Sequence, residues 1–209
     1  MANILTKTEQ FDDVIWAKTS VTVTADTAAA PDFAGPSAGL ADTLDDADAG
    51  VTGVVEWGYT GVANDTSNWL FSLYIKRDAI TTRFPMVGFQ IVDGTSVFCG
   101  VELNTSDGTI ADAPGLVPDA SGVDTSDPNY WRVWCRKANN GSGNADIKAF
   151  IHPAYAGSLG GGANAASTGS IKAWGANLMI ATTLQTYEPD PFYAFPSAPC
   201  IVTLLGTTL

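Results

Sequence analysis

The sequence has few of the side chains that serve metal or nucleophilic chemistry, with one histidine and three cysteines in 209 residues. A metal site or a Ser-His-Asp arrangement would have to rely on His152 alone, and Pro153 follows it directly. We therefore interpret His152 as a structural residue at the end of a strand. Cys99, Cys135 and Cys200 are odd in number and lack Cys-x-x-Cys spacing, so we predict reduced, packed thiols.

Basic residues are also scarce, because ten lysines and arginines stand against 22 aspartates and glutamates, a net charge of -12. Such a chain would repel phosphate backbones, so no nucleic-acid partner is expected. Only 15% of the residues are charged, however, and 45% are hydrophobic. This composition excludes a disordered acidic chain and provides for a core, and the length suits one large β domain.

Long apolar runs are missing as well. No segment approaches the roughly 18 apolar residues that cross a bilayer, so we expect no membrane association. The first ten residues have neither a basic region followed by an apolar stretch nor a small-residue cleavage site. We expect a protein that is made and kept without a signal peptide.

Helical periodicity is nearly absent, and runs rich in Val, Ile, Phe, Thr, Trp and Tyr recur between Gly, Pro, Asp and Ser clusters. These runs predict eight to ten strands in an all-β, two-sheet antiparallel sandwich. Long connections are predicted over residues 104–129 and 152–169, and an irregular acidic stretch over 28–50. The clearest strand runs cover residues 20–25, 53–59, 69–76, 86–92, 97–103, 130–137, 146–151 and 170–178.

Alternation along the strands sorts their residues into two faces. The inward sets are apolar, as in Phe71, Leu73 and Ile75, whereas the outward sets hold four of the ten bases beside aromatic rings. If these strands share one sheet, they form an aromatic-basic face suited to a saccharide. The alternative is a face covered by a loop, an N-terminal arm or another subunit. The aromatic-basic face comprises Tyr74, Lys76, Gln90, Tyr130, Arg132, Trp134, Arg136, Lys148 and Phe150.

The acidic residues show no catalytic or metal pattern of known spacing. Glu56 and Glu102 are the only glutamates on predicted strands and neither has an acidic partner two residues away, so a glycanase is not supported. Asp45, Asp46 and Asp48 could offer oxygen ligands to Ca²⁺, but they lack EF-hand spacing. A solvated acidic loop is the simpler interpretation of this stretch.

Several short motifs occur in an order that resembles a jelly-roll module of tailed-bacteriophage virion proteins. That module opens on an Asn-Leu-Leu-x-x-Ser-Glu-x-Phe stretch and continues through Phe-Ser-x-Tyr-x-Lys, Trp-x-Arg-Val and Trp-Gly-Ala-Gln-Leu strands to a Tyr-x-Pro. The corresponding pieces here begin at Asn3, Trp69, Tyr130, Ile171 and Tyr187. Two departures are Asn177-Leu178-Met179 in place of Gln-Leu-Glu, and 19 further residues after Asp190.

This resemblance implies a concanavalin-like, carbohydrate-binding-type jelly roll in a phage tail, tail fibre or head fibre. It implies that Trp16, Trp131 and Trp174 belong to the core. The jelly-roll domain would span residues 1–190, and residues 191–209 would form a C-terminal extension that packs on the domain or on a neighbouring subunit. Met1 at the head of the module suggests a free-standing subunit.

We therefore expect a non-enzymatic virion structural protein, assembled in the host cytoplasm as a homo-oligomer with other virion proteins, and with a host-surface saccharide as a further ligand. One alternative is a stand-alone carbohydrate-binding module centred on Tyr74, Trp134 and Arg132. The other alternative, which the absent carboxylate pair disfavours, is a glycanase of similar fold. No cofactor is expected beyond the Ca²⁺ candidate.

Overall fold

The predicted all-β sandwich is confirmed. The structure, a computed structural model, describes residues 3–32 and 40–187, and these form two antiparallel sheets of six strands with no α-helix among them. These twelve strands exceed the eight to ten predicted, because four of them lie outside the predicted strand runs. Sheet A contains β1 (Ala17–Thr19), β4 (Val54–Thr60), β6 (Phe84–Val92), β7 (Val97–Leu103), β8 (Ile110–Asp112) and β11 (Asp146–Ala156). Sheet B contains β2 (Thr22–Ala29), β3 (Leu40–Asp46), β5 (Asn68–Lys76), β9 (Ala120–Asp124), β10 (Tyr130–Ala138) and β12 (Gly169–Ile180).

The chain passes repeatedly from one sheet to the other, which gives the jelly-roll order of strands. Sheet A runs β1-β4-β11-β6-β7-β8 and sheet B runs β2-β3-β12-β5-β10-β9. Strands β11 and β12 come late in the chain but lie inside their sheets, where they join the early strands to the middle ones. No helix in the described residues is long and apolar enough to cross a bilayer.

The core lies between the sheets and is built by the inward sets that the alternation predicts. Phe71, Leu73 and Ile75 of β5 are fully buried there. From sheet A they meet Val87, Phe89 and Ile91 of β6, and from β10 they are joined by Trp131, Val133 and Cys135. Burial of this apolar surface is the main force that holds the two sheets together.

The thiol prediction is confirmed for the two cysteines that the structure describes. Cys99 of β7 and Cys135 of β10 are free and buried in the core, where they face each other from opposite sheets. Burial raises the pKa of the Cys99 thiol far above its ordinary value, so the group stays protonated. Cys200 and the predicted extension over residues 191–209 lie outside the described residues.

The prediction of an irregular, solvated acidic loop around residues 42–48 is wrong. Residues 40–46 form β3, and Asp42 and Asp46 are 2% and 0% exposed on its inward side. Asp42 accepts backbone hydrogen bonds from Phe11 and Asp26, at 2.7 and 3.0 Å, and burial raises the pKa of its carboxyl. These carboxylates satisfy N–H groups at the margin of the sandwich, a use that composition alone does not reveal.

An N-terminal arm, residues 3–16, runs along β12. The Asn3 side chain donates to the carbonyl of Ala176 and accepts from the N–H of Leu178, and the Ala176 N–H donates to the Thr8 carbonyl. The Tyr187 hydroxyl bonds to Thr8 at 2.9 Å and donates to Glu9 at 2.6 Å. The first and last motifs of the resemblance thus meet in space.

Candidate functional site

Six residues of the aromatic-basic face lie together on the outer face of sheet B. Tyr74 and Lys76 come from β5, and Tyr130, Arg132, Trp134 and Arg136 come from its neighbour β10. In the register of the two strands, Arg132 is opposite Tyr74 and Tyr130 is opposite Lys76. The alternation therefore grouped these six side chains correctly.

The other three residues lie elsewhere, so the condition that all these strands share one sheet is not met. Gln90 of β6 and Lys148 and Phe150 of β11 point outward from sheet A, on the far side of the sandwich. Alternation tells which residues point away from the core but not which layer a strand joins. The nine residues consequently form two separate surfaces.

The part of the face around Tyr74 and Arg132 is covered. Tyr74, Tyr130 and Arg132 are only 5%, 1% and 4% exposed. Trp174 and Tyr187 pack on Tyr74 with ring centroids 5.7 and 6.0 Å away. Trp174, expected in the core, thus belongs to this smaller outer cluster, whereas Trp16 and Trp131 lie in the core as expected.

The backbone conformation of Gly175 allows Tyr187 to pack over this part of the face. Gly175 has φ +64°, a left-handed conformation that glycine adopts without strain, within the β12 irregularity between Trp174 and Asn177. A Cβ atom on Gly175 would stand 3.1 Å from the Tyr187 ring. The glycine therefore both bends the strand and leaves room for Tyr187.

A polar cleft of about 460 Å³ opens beside the covered cluster. Arg132 and Tyr74 form part of its wall, and the 184–187 segment forms another part. A volume of this order suits a small organic ligand such as one or two sugar rings. The polar residues that line it, apart from the two tyrosines, are Asp32, Asp124, Ser126, Asp127, Arg132, Gln185 and Thr186.

Arg132 is a buried cation held by neutral groups. Its guanidinium donates to Ser72 Oγ from Nε and Nη2, at 3.3 and 3.1 Å, and from Nη1 to the Gln185 carbonyl at 2.6 Å. It also lies 5.3 Å from the centre of the Tyr74 ring. Burial lowers the pKa of Arg132, an effect that Tyr74 and Asp124 oppose, and burial raises the pKa of Tyr74 to about 12. At neutral pH the cleft wall therefore carries a charged arginine beside a neutral phenol.

The acidic rim of the polar cleft is fixed by hydrogen bonds to the backbone. Asp124 accepts from the Ser126 N–H at 2.8 Å, and Asp127 accepts from the N–H groups of Asn129, Tyr130 and Asp32. These bonds use part of each carboxylate's accepting capacity. The carboxylate acceptors around Arg132 suit the hydroxyl groups of a neutral ligand. An anionic ligand would be repelled by the three aspartates of the cleft, Asp32, Asp124 and Asp127.

Of the residues that line this cleft, only Tyr74 and Arg132 were predicted as site residues from the sequence. Asp124 is the last residue of β9 and Asp127 follows it, both within the stretch 104–129 that was predicted as a long connection. Long connections in a compact domain are often functional. Asp32 and Gln185 carry no periodic signal, because they belong to segments outside the strands. Trp134 does not line the cleft; it is half-buried and lies across Gly122 of β9, 2.8 Å from where a Cβ would stand.

The outer face of sheet A presents a flatter polar surface. Phe98, Gln90, Lys148 and Gly58 are paired in one row across β7, β6, β11 and β4. The Phe98 ring is 39% exposed, and Lys148 Nζ lies 3.0 Å from Glu56 Oε1. Phe150, by contrast, is only 8% exposed and lies over Gly88, where a Cβ atom would stand 2.6 Å from its ring.

The three aspartates considered for Ca²⁺ are not brought together. Asp45 and Asp46 are adjacent in β3 and point to opposite faces. The Asp46 carboxylate accepts from the N–H groups of Gly53 and Asp48, and Asp48 accepts from the N–H of Gly50. Among the residues that the structure describes, no group of three or more His, Cys, Asp or Glu side chains is placed to hold a metal ion.

Glu102 and His152 have structural partners. Glu102 is 0% exposed, and its two oxygens accept from the N–H groups of Gly160 and Gly162, at 2.6 and 2.9 Å. The triple-glycine tract, Gly160-Gly161-Gly162, therefore binds a carboxylate of the protein itself. The prediction that His152 ends a strand is wrong, because β11 continues past it to Ala156 through a register irregularity. His152 donates from Nδ1 to the Gly53 carbonyl at 2.8 Å, and burial lowers its pKa to about 4.

Comparison with known proteins identifies the fold. No protein-family profile and no curated protein matches the chain. A solved structure of the enzymatically active domain of tailspike protein 4 from bacteriophage CBA120 is similar, with a TM-score of 0.50 and 12% identity over 86% of this chain. The CBM22-1–GH10 modules of a Clostridium thermocellum endo-1,4-beta-D-xylanase, complexed with xylohexaose, give a TM-score of 0.47 and 8% identity over 90% of this chain.

This chain spans only part of both neighbours, 21% of the tailspike chain and 30% of the xylanase chain. The likeness to the tailspike structure shows a shared β-sandwich fold. A shared fold at this identity carries no function with it.

Proposed function

We propose that this protein is a non-enzymatic structural subunit of a phage virion, in a tail, fibre or head appendage, that contacts saccharides through the polar cleft on sheet B. The observation that carries the saccharide part is the cleft itself. It sets a buried arginine among ordered carboxylate acceptors in a volume suited to one or two sugar rings. The virion part rests on the ordered motifs and on the fold shared with a phage tailspike domain.

The position of Glu102 supports a role without catalysis. A general acid or base must reach its substrate, and the Glu102 carboxylate is buried against two backbone N–H groups. The acidic residues of the polar cleft likewise hold their own loop, since Asp127 accepts three backbone hydrogen bonds. The carboxylates of the polar cleft therefore stabilise their own loop, and their remaining lone pairs can accept from the hydroxyl groups of a ligand.

The test of saccharide binding uses an array of neutral and acidic oligosaccharides, followed by titration of the best neutral binder. We expect Asp124→Asn to weaken that binding by about 10-fold or more, because a charged acceptor is worth roughly 1.5–3 kcal/mol. Asp107→Asn is the matched control: Asp107 accepts from the N–H of Thr109 as Asp124 accepts from Ser126, outside the cleft.

Two results would contradict this assignment. Absence of any array binding would remove the saccharide function. Binding that is abolished by Trp134→Ala and unaffected by Asp124→Asn would move the ligand from the polar cleft to the neighbouring strand face, because Trp134 lies outside the cleft.

Assembly into an oligomer is tested separately. We expect the full chain to sediment as a symmetric oligomer, because the apolar run Ile201-Val202-Thr203-Leu204-Leu205 offers a strand-like segment for an exposed sheet edge. Deleting residues 191–209 should reduce the mass measured by light scattering, while the melting curve of the domain persists. An unchanged mass would contradict the predicted role of this extension.

A further inference from the structure

A second, smaller cleft collects much of the positive charge of the protein. It has a volume of about 230 Å³ and lies where β5 ends and β12 begins, beside the connection that leads into β6. Four of the ten bases in the sequence line it, together with one acid, Asp78. We name this the basic cleft, formed by Lys76, Arg77, Arg83 and Lys172.

Arg83 is the buried base of the basic cleft, and its side chain is held in place by hydrogen bonds. Only 2% of its surface is exposed, and its guanidinium is held by Asp78 at 2.5 Å and by Thr105 Oγ1 at 3.4 Å. Its Nε atom is buried and has no hydrogen-bond partner. An unpaired buried donor costs roughly 1–3 kcal/mol, so a ligand oxygen that accepted from this atom would recover that cost.

The other three bases have no carboxylate within 4 Å in the part of the chain that the structure describes. Lys172 Nζ donates to the hydroxyls of Thr43 and Thr27, at 3.0 and 3.4 Å. Arg77 lies over the Trp131 ring, 3.6 Å from its centre, and donates from Nε and Nη2 to backbone carbonyls. The Asp78 charge is taken by Arg83, so the basic cleft has an excess of positive charge.

Strand pairing places two of these bases side by side. Ala173 of β12 is opposite Ile75 of β5, so Lys172 and Lys76 follow as the next pair in the same antiparallel register. Like charges opposite each other on neighbouring strands destabilise a sheet unless something compensates them. An anion between the two ammonium groups would supply that compensation.

We propose that the basic cleft is a binding site for an oxyanion on a small ligand, that is, for the carboxylate of a sugar acid or the phosphate of a sugar phosphate. The unpaired Arg83 donor, the two facing lysines and the small volume carry the proposal. A nucleic-acid backbone would need an extended basic stripe, which a single small cleft on a protein of net charge -12 does not provide. The site uses residues other than those of the polar cleft, so it does not depend on the function proposed above.

The test is titration with three probes at low ionic strength, followed through backbone amide signals in two-dimensional NMR. We expect glucuronate or glucose 6-phosphate to shift the amides of residues 76–83 and 169–172 saturably, whereas glucose should not. The anion that binds more tightly shows whether the site takes the carboxylate of a sugar acid or the phosphate of a sugar phosphate. The double variant Lys76→Gln/Lys172→Gln should weaken that binding by about 10-fold, the loss of roughly 1.4 kcal/mol.

The control double variant, Lys18→Gln/Lys137→Gln, removes the same total charge at positions outside the basic cleft. It should weaken binding by less than about 2-fold, because exposed charges at a distance are screened. Equal losses in the two double variants would overturn the proposal, since binding would then reflect net charge alone. Absence of saturable shifts with either anion up to about 10 mM would overturn it as well.

Discussion

Replacing Glu102 by glutamine should destabilise the sandwich by about 2–4 kcal/mol, because a buried, charged acceptor of two backbone hydrogen bonds is lost. Glutamine has the shape of glutamate but offers one acceptor oxygen and one amide donor. Its NH₂ group would therefore face the N–H of Gly160 or Gly162, both of which now donate to Glu102. One buried donor would be left without a partner, in a site that is 0% exposed.

Chemical denaturation at pH 7 measures this loss of unfolding free energy directly. In a thermal melt, we expect the melting temperature to fall by roughly 6–12 °C for a chain of this length. Glu56→Gln is the matched control, since Glu56 also lies on the outer face of sheet A. Glu56 pairs with the half-exposed Lys148, and such surface pairs contribute about 0–1 kcal/mol. Equal effects of the two substitutions would show that the triple-glycine tract does not depend on Glu102.

The strand pattern predicted much of this fold because burial on one face imposes a period of two. All eight predicted runs are strands, and the inward sets of β5, β6 and β10 form the core. Three short edge strands were not predicted, because a period of two appears only where one face of a strand is buried. β1, β8 and β9 have three, three and five residues, and none of their side chains is fully buried.

The candidate site was harder to predict, because it depends on which strands become neighbours. Lys148 and Arg132 both point outward in the sequence pattern, yet β11 and β10 belong to different sheets. Strand order is set by long-range pairing, which local periodicity does not encode. The covered state of Arg132 depends further on the irregular 184–187 segment, whose Gln185 carbonyl accepts its hydrogen bond.

The acidic residues show where composition misleads. A run of aspartates resembles a solvated loop, but Asp42 and Asp46 are buried acceptors at the end of the sandwich. Backbone N–H groups in the arm and turns need such acceptors, and a short carboxylate provides two oxygens. The net charge therefore includes carboxylates that hold the fold together, beside those that face solvent around the polar cleft.

Acid should destabilise the protein through His152, whose pKa burial lowers from the ordinary 6.5 to about 4. The Gly53 carbonyl accepts from Nδ1, so the neutral ring takes up its second proton at Nε2, and the pKa shift shows that this charge is unfavourable in the folded state. The unfolded chain binds that proton below pH 6.5 and the folded chain only near pH 4. Stability is therefore complete above pH 6.5 and falls by about 2–3 kcal/mol as the pH drops to 4.

The measurement is urea denaturation of the wild type and of His152→Asn at several values between pH 7.5 and 4. Asparagine can keep a donor to Gly53 but does not titrate, so changes due to carboxylates occur in both proteins and cancel in the difference. We expect the stability of the wild type relative to the variant to fall by about 2–3 kcal/mol over this range. A difference that stays constant with pH would mean that His152 is protonated as readily in the folded protein as in the unfolded chain.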